Sequence, residues 1–144
     1  MHVKQISAFV ENKPGRLAKI VRYLSDENIN ILAISMADTA DFGIIRFIVE
    51  DTEKAYETLK KHDIVAKVTD VLAIAMGNTP GSLADILDEL KKLNISIEYM
   101  YAFTIKSSMY DSMVILRVSN QQEVLEAIKD NEKIRLLKIE EISQ

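Results

Sequence analysis

The chain has 144 residues, of which 48% are apolar and 28% are charged, and its formal net charge is −4. These values are typical of a globular protein of one domain or two small ones, and the acidic balance disfavours a nucleic-acid partner. No cysteine is present, which excludes disulfides, thiolate metal sites and cysteine nucleophiles. Because no apolar run approaches the roughly 20 residues that span a bilayer and the N-terminus has no signal-peptide region, we expect a cytoplasmic protein without a membrane partner.

The first half of the chain predicts the element order β-α-β-β-α-β. Runs rich in β-branched residues indicate strands, and apolar residues at i, i+3, i+4 and i+7 indicate a helix after residue 15. Asp51-Thr52 is a plausible N-cap of the second helix. The predicted strands cover 5–10, a segment beginning within 28–31, 43–49 and 65–68, and the helices turn inward Leu17, Ile20, Val21, Leu24, Ala55, Tyr56 and Leu59.

The second half repeats this order. It has about five extra residues, 106–110, in the turn before its third strand, and Asn120 is a plausible N-cap of its second helix. The predicted strands cover 71–76, a segment beginning within 94–97, 113–118 and 135–139, and the helices turn inward Leu83, Ile86, Leu87, Leu90, Val124, Leu125 and Ile128.

One motif, Asn-x-Pro-Gly-x-Leu-Ala-x-Ile, occurs in both halves at the junction of the first strand and the first helix. Asn12 and Asn78 are 66 positions apart, as are Pro14 and Pro80, the only two prolines of the chain. A motif repeated at the same element boundary indicates a duplicated fold.

The duplicated order predicts an α+β protein of two ferredoxin-like βαββαβ domains, residues 1–70 and 71–144. Each domain would have an antiparallel sheet with its helices on one face. Since almost no linker separates the halves, we expect the two sheets to pack side by side and protect each other's edge strands.

The repeated turn has a structural and a functional interpretation. Proline and glycine are suited to a sharp turn into a helix, and asparagine tolerates turns. The free N–H groups at a helix start also attract a carboxylate, and the asparagine amide can both donate and accept hydrogen bonds. The second interpretation predicts a site for the main-chain groups of an amino acid.

Each half of the chain resembles the ACT domain, a small regulatory module. The resemblance is carried by the βαββαβ order and by the pattern strand, Asn-x-Pro-Gly-x-Leu, helix, Asn-Ile-Asn-Ile. The whole chain is similar to a stand-alone tandem ACT protein. The resemblance implies that a free L-amino acid binds at the loop between first strand and first helix, at an interface between ACT domains. It further implies a homodimer, and a role in amino-acid or 2-oxoacid metabolism through a metabolic enzyme rather than an enzymatic activity of its own.

Carried over by position, the resemblance assigns the site to the loop, the helix start and the beginning of the second strand. Some ACT modules have a histidine two residues before the loop asparagine, and here this position is Val10 or Met76, which argues against a serine-type ligand. The implied residues are Asn12, Lys13, Pro14, Gly15, Arg16, Leu17, Asn30 and Ile31 in the first half, and Asn78, Pro80, Gly81, Ser82, Leu83 and Ser96 in the second.

The two halves differ, because the asparagine at position 30 is replaced by Ser96 in the second half. We therefore hypothesise that the first loop holds the amino acid. The second half's second strand, which carries Tyr99, Met100, Tyr101 and Phe103, would supply a wall for the ligand side chain, although ordinary strand packing also explains these residues.

Other chemistry has little support. His2 and His62 have no metal-ligand spacing and are expected at the surface, and no phosphate-binding or dinucleotide motif is present, so no metal or cofactor is expected. An acylphosphatase-like hydrolase would need an arginine cradle in its first loop. Arg16 is the only candidate, and the second half has Ser82 at that position. An RNA-recognition fold would need a Gly-aromatic signature, which this sequence does not have. The main alternative is a structural dimerisation module that has lost ligand binding.

Overall fold

A computed structural model of the protein describes residues 3–38, 41–104 and 110–143. Contacts divide the chain into two compact units. Lys4–Thr69 form the first unit, and the described residues from Asp70 onward, together with Val3, form the second. The elements in chain order are β1 Val3–Glu11, α1 Arg16–Asp26, β2 Ile31–Asp38, β3 Phe42–Val49, α2 Thr52–Lys61, β4 Ala66–Met76, α3 Ser82–Lys92, β5 Ile97–Thr104, β6 Ser112–Val118, α4 Gln121–Ile128, β7 Arg135–Leu136 and α5 Ile139–Ile142.

The first unit has the strand order β2-β3-β1-β4. Strands β1 and β2 both pair antiparallel to β3, so they run parallel to each other. Alternate residues of β1 point to the face that the helices cover, as the alternating sequence pattern predicts. The core between sheet and helices contains Ile6, Ala8, Val10, Ile20, Leu24, Ile45, Phe47, Ala55 and Leu59.

The second unit repeats this arrangement with the order β5-β6-β4, and β7 pairs with β4 on its other side. Both β4 and β5 are antiparallel to β6. The ferredoxin-like βαββαβ fold with helices on one sheet face is therefore confirmed for each unit. The core of the second unit contains Leu72, Ile74, Ile86, Leu90, Val114, Leu116, Val118, Val124, Leu125 and Ile128.

Strand β4 differs from the sequence prediction. Two strands were predicted at 65–68 and 71–76, but a single strand of 11 residues begins in the first unit and ends in the second. Neither Thr69 nor Asp70 is a glycine or proline, so nothing in the local sequence interrupts the extended backbone.

The C-terminal segment also differs. The strand predicted over 135–139 contains only Arg135 and Leu136, and Ile139 begins the short helix α5. At the start of that helix, the Lys138 N–H donates to Glu141 Oε1 at 3.1 Å, and the Glu141 N–H donates to the Lys138 carbonyl at 3.0 Å. These hydrogen bonds begin the helix, so the strand stops early. The predicted long turn, 106–110, lies outside the described residues except for Tyr110.

Three helices end in the same way, at a residue with positive φ. Asn28, Asp63 and Asn94 have φ between 56° and 59°. In each case the next N–H donates to the carbonyl five residues before it, as in a Schellman motif, at 3.0 or 3.1 Å. The segments 28–31 and 94–97 therefore begin as helix ends, and their strands begin at Ile31 and Ile97.

None of the helices that the described residues form is both long and apolar enough to cross a bilayer.

Candidate functional site

The two Asn-x-Pro-Gly segments form the same type II turn. In the first unit, the Arg16 N–H donates to the Lys13 carbonyl at 3.2 Å, and Gly15 has φ 84° and ψ −10°. In the second, the Ser82 N–H donates to the Thr79 carbonyl at 3.2 Å. Proline at the second position and glycine with positive φ at the third are what a type II turn requires, which explains why both residues recur.

Each turn leads directly into a helix and leaves polar backbone groups at its start. The first main-chain hydrogen bond of helix α1 runs from the Lys19 N–H to the Gly15 carbonyl, at 3.0 Å. The N–H groups of Leu17 and Ala18 therefore have no intrahelical acceptor. Residues 11–16 are all exposed, and no atom lies within 4 Å of the position that a Cβ on Gly15 would occupy, so a ligand has access to this backbone.

Asn12 is held by the hairpin between β2 and β3. Its side-chain Nδ2 donates to Asp38 Oδ1 at 3.0 Å, and its backbone N–H donates to the Asp41 carbonyl at 3.3 Å. The amide oxygen of Asn12 is left as an acceptor beside the Asp38 carboxylate. This corner of the turn thus favours a positively charged group.

The other corner of the first turn carries cations. Lys13 Nζ lies 3.1 Å from Glu11 Oε2, and Arg16 Nη2 lies 3.8 Å from the same oxygen. The Lys13 ammonium, with a smaller contribution from Arg16, lowers the pKa of the Glu11 carboxyl. These side chains are about half exposed, so the pairs are weak and can rearrange around an anion.

The second turn has the same backbone but different chemistry. Thr79 Oγ1 and Ser82 Oγ lie 2.8 Å apart, and the Asn78 side chain makes no hydrogen bond within the described residues. The first turn of α3 contains Asp85, whereas the first turn of α1 contains no acidic residue. A carboxylate at the start of α3 would be repelled by Asp85.

The predicted residues Asn30 and Ser96 lie away from the turns. Asn30 directly precedes β2 and Asn12 directly follows β1, and the two strands run parallel. Strand β2 has 8 residues, so at about 3.3 Å per residue the two asparagines of one unit lie roughly 25 Å apart. The same topology separates Asn78 from Ser96. A site within one unit therefore cannot contain both predicted positions.

Three predicted site residues have a packing role. Leu17 and Ile31 are half-buried against the core of the first unit, and Leu83 packs against the core of the second. Their side chains are therefore only partly accessible to a ligand. The side chains at the surface of the two turns are those of Asn12, Lys13, Pro14, Arg16, Asn78 and Pro80, with Ser82 half-buried.

The aromatic residues of β5 do not form one wall with Met100. Tyr99, Tyr101 and Phe103 alternate with exposed residues and are half-buried. Tyr101 pairs with Ile115, whereas Met100 pairs with Leu116, which faces the helices. The three aromatic side chains thus point to the sheet face that the helices do not cover, and Met100 points to the other face.

A groove beside the first turn was not predicted from the sequence. We call it the first groove: a cavity of about 280 Å³ where α1 meets the turn between α2 and β4. His62 was predicted at the surface, and its side chain is exposed. Its ring stacks on the ring of Tyr23, with the centroids 3.6 Å apart and the planes at 4°. The groove is lined by Phe9, Arg16, Lys19, Tyr23, His62 and Val65, among others.

The second unit has a matching cavity of about 620 Å³, the second groove. Here Glu89 accepts hydrogen bonds from Lys92 at 2.9 Å and from Asn131 at 3.3 Å, and Lys133 Nζ lies 3.4 Å away. The hydrogen bonds from Lys92 and Asn131, together with the charge of Lys133, lower the pKa of Glu89 to about 2. Within the described residues, no group of three His, Asp or Glu side chains is arranged to hold a metal ion.

Comparisons with known proteins agree with this architecture. An aspartokinase from Corynebacterium glutamicum is 28% identical over 116 residues, which cover 69% of this chain and 28% of that protein. The chain therefore spans little more than a quarter of the length of this curated relative.

Solved structures share the fold over nearly the whole chain. The protein BT0572 from Bacteroides thetaiotaomicron is 40% identical, with a TM-score of 0.89 and coverage of 100% of this chain and 97% of that one. The regulatory subunit of aspartate kinase from Thermus thermophilus, in a ligand-free form, is 19% identical, with a TM-score of 0.62 and coverage of 91% and 93%. A family model described as an ACT domain pair matches residues 1–144, and the chain belongs to this family.

Proposed function

We propose that the protein is a regulatory sensor that binds a free amino acid at the Asn-x-Pro-Gly turn of its first unit. The observation that carries this proposal is the distribution of charge around that turn. The N–H groups at the start of α1, with Arg16 beside them, suit an α-carboxylate. The Asn12 amide oxygen, next to Asp38, suits an α-ammonium group.

The second turn is a poorer site for the same ligand. Ser82 replaces Arg16 at the helix start, and Asp85 places a negative charge in the first turn of α3. A zwitterion bound there would lose the cation that favours its carboxylate and gain a repulsive carboxylate. We therefore place the amino acid in the first unit, as the asparagine pattern of the sequence also predicts.

The family supports a regulatory rather than an enzymatic role. The chain is an ACT domain pair, and its relatives include an aspartokinase and a regulatory subunit of aspartate kinase. We infer that this chain likewise acts on a metabolic enzyme of amino-acid or 2-oxoacid metabolism, without catalysis of its own. In this proposal the site is completed at an interface between ACT domains.

A homodimer is part of the proposal. Strand β2 is the outermost strand of the first unit and has a strand partner on one side only among the described residues. Its side chains Ile34 and Met36 are 46% and 44% exposed. An open edge with exposed apolar residues favours pairing with a second copy. Light scattering of the purified chain should give twice the monomer mass.

The experiment is a binding screen with variants of both turns. Each of the twenty amino acids is titrated into the full chain by calorimetry, and the best ligand is repeated with Asn12→Ala, Asp38→Asn and the matched control Asn78→Ala. We expect the first two variants to weaken binding about tenfold or more and the control to leave it unchanged, because a hydrogen bond to a charged group contributes about 1.5–3 kcal/mol.

The alternative, a dimerisation module without a ligand, makes a different prediction. A ligand at about 100 times its dissociation constant stabilises the fold by about 2.7 kcal/mol. If no amino acid raises the melting temperature while the chain is still dimeric, the alternative is correct. Equal weakening by Asn12→Ala and Asn78→Ala would contradict the assignment to the first turn.

A further inference from the structure

The first groove contains groups that neither the core nor the proposed amino-acid site uses. It shares Glu11 and Arg16 with the turn, and it extends along α1 to the turn between α2 and β4. Its edge is apolar, because Phe9 is 47% exposed and Val65 is 68% exposed. At about 280 Å³ it has room for one small molecule.

The stacked rings of Tyr23 and His62 present a flat aromatic surface in this groove. Their centroids are 3.6 Å apart, closer than the roughly 4.5–7 Å usual for aromatic pairs, and their planes are nearly parallel. Because His62 follows directly on the last residue of α2, the stack also fixes the end of that helix against α1. A planar ligand ring can extend this stack or pack on its edge.

Lys19 supplies a positive charge to this groove. Its side chain is exposed, and it makes no ion pair within the described residues. Glu11, which also lines the groove, already pairs with Lys13 at 3.1 Å. A free ammonium group beside an aromatic surface favours a ligand that combines a ring with a negative charge.

The second groove is the internal comparison. Asp85, Glu89 and Asn131 occupy the positions that correspond to Lys19, Tyr23 and His62. There Glu89 forms ion pairs with Lys92 and Lys133, so the cations lining that groove are neutralised within the protein. The second groove is thus lined by charges that pair with one another. The first groove is lined by a ring stack and by Lys19, for which the described part of the chain provides no ion pair.

We propose that the first groove binds a small aromatic carboxylate, a planar ring that bears one carboxylate group. The ring lies against Tyr23 and His62, and the carboxylate pairs with Lys19. Two carboxylates line this groove, and both repel a ligand carboxylate: Glu11, which pairs with Lys13, and Asp63, on the turn that follows His62. Asp63 therefore limits the affinity. The inference goes beyond the proposed function, since the ligand needs no ammonium group and does not use Asn12.

The test uses 3-phenylpropanoate as the probe, titrated into the full chain by calorimetry and by NMR of the histidine ring protons. The chain has two histidines, so His62→Asn, which installs the residue of the second unit, identifies the signals of His62. We expect one molecule to bind per chain and to shift the His62 signals. Butanoate, which lacks the ring, and 3-phenylpropanol, which lacks the carboxylate, should bind at least about tenfold more weakly.

Variants separate this groove from the amino-acid site. Lys19→Asp should weaken the probe about tenfold or more, Lys19→Arg should retain binding, and Asp63→Asn should strengthen it because a like charge is removed. Asn12→Ala and Glu89→Gln should leave the affinity unchanged.

The proposal is overturned if the probe does not saturate, if butanoate binds equally well, or if folded Lys19→Asp binds like the wild type. If Asn12→Ala abolishes binding of the probe together with the amino acid, there is one site and this inference fails while the proposed function stands.

Discussion

Gly15 and Gly81 adopt the same backbone conformation 66 positions apart, with φ of 84° and 90° and ψ of −10° and −12°. Neither glycine has an atom within 4 Å of the position that a Cβ would take. Glycine is therefore required at both sites by the backbone angle and not by crowding. The open space is available to a ligand, whereas the angle is a property of the fold.

Alanine at either position should destabilise the protein through the backbone angle alone. A left-handed conformation costs an L-residue roughly 1–2 kcal/mol, so Gly15→Ala and Gly81→Ala should each lower the free energy of unfolding by about that amount. Urea denaturation measures the change. Gly15→Asn should cost less, because asparagine tolerates this region. Equal losses for the alanine and asparagine variants would show that the cost has another origin.

The caps of α2 and α4 offer a matched pair. Asp51 Oδ1 accepts from the Lys54 N–H at 3.1 Å, whereas Asn120 occupies the same position of α4 without a side-chain cap hydrogen bond. Asp51→Ala should lower the free energy of unfolding by about 1 kcal/mol. Asn120→Ala should lower it by clearly less. Thermal unfolding of both variants decides this, and the opposite order would contradict the cap geometry.

The two cores should respond alike to equivalent truncations. Leu24 and Leu90, also 66 positions apart, are 0% and 1% exposed. Leu24→Ala and Leu90→Ala should each cost about 2–5 kcal/mol, through lost burial and the cavity left behind. Leu93→Ala, at a position 39% exposed, is the control and should cost far less. A small loss for either buried variant would mean that its unit can collapse around the cavity.

The charge network at Glu89 makes stability depend on pH. The pKa of Glu89 is lowered from 4.5 to about 2 by hydrogen bonds from Lys92 and Asn131 and by Lys133. A carboxyl whose pKa is depressed in the folded state stabilises the fold above its unfolded pKa, and this stabilisation is lost as the pH falls from about 4.5 to about 2.

The corresponding experiment compares wild type with Glu89→Gln by urea unfolding. The wild type should be the more stable protein near neutral pH, and the difference should shrink as the pH approaches about 2. Added salt should also reduce the difference at neutral pH, because the side chains of Lys92 and Lys133 are exposed. A difference that is independent of pH would show that Glu89 contributes by packing rather than by charge.

The sequence alone determined the features that depend on neighbouring residues. The Pro-Gly pairs predict a sharp turn into a helix, and the structure has this turn in both units, with positive φ at the glycine. The apolar stripe of α1 predicted its buried face, where Ile20 and Leu24 lie. These features follow from local backbone sterics and from helical periodicity, which act within a few residues, so they can be read from the order of residues.

Only the tertiary structure decided which distant residues meet. The motif grouped Asn12 with Asn30, but parallel strands place them at opposite ends of the sheet. Conversely, Tyr23 and His62 carry no shared motif, and they meet because α1 packs against the end of α2. Such contacts depend on strand direction and helix packing, which arise from the burial of the whole core. The sequence thus determined where the turns lie, and the packing of the helices determined which side chains surround them.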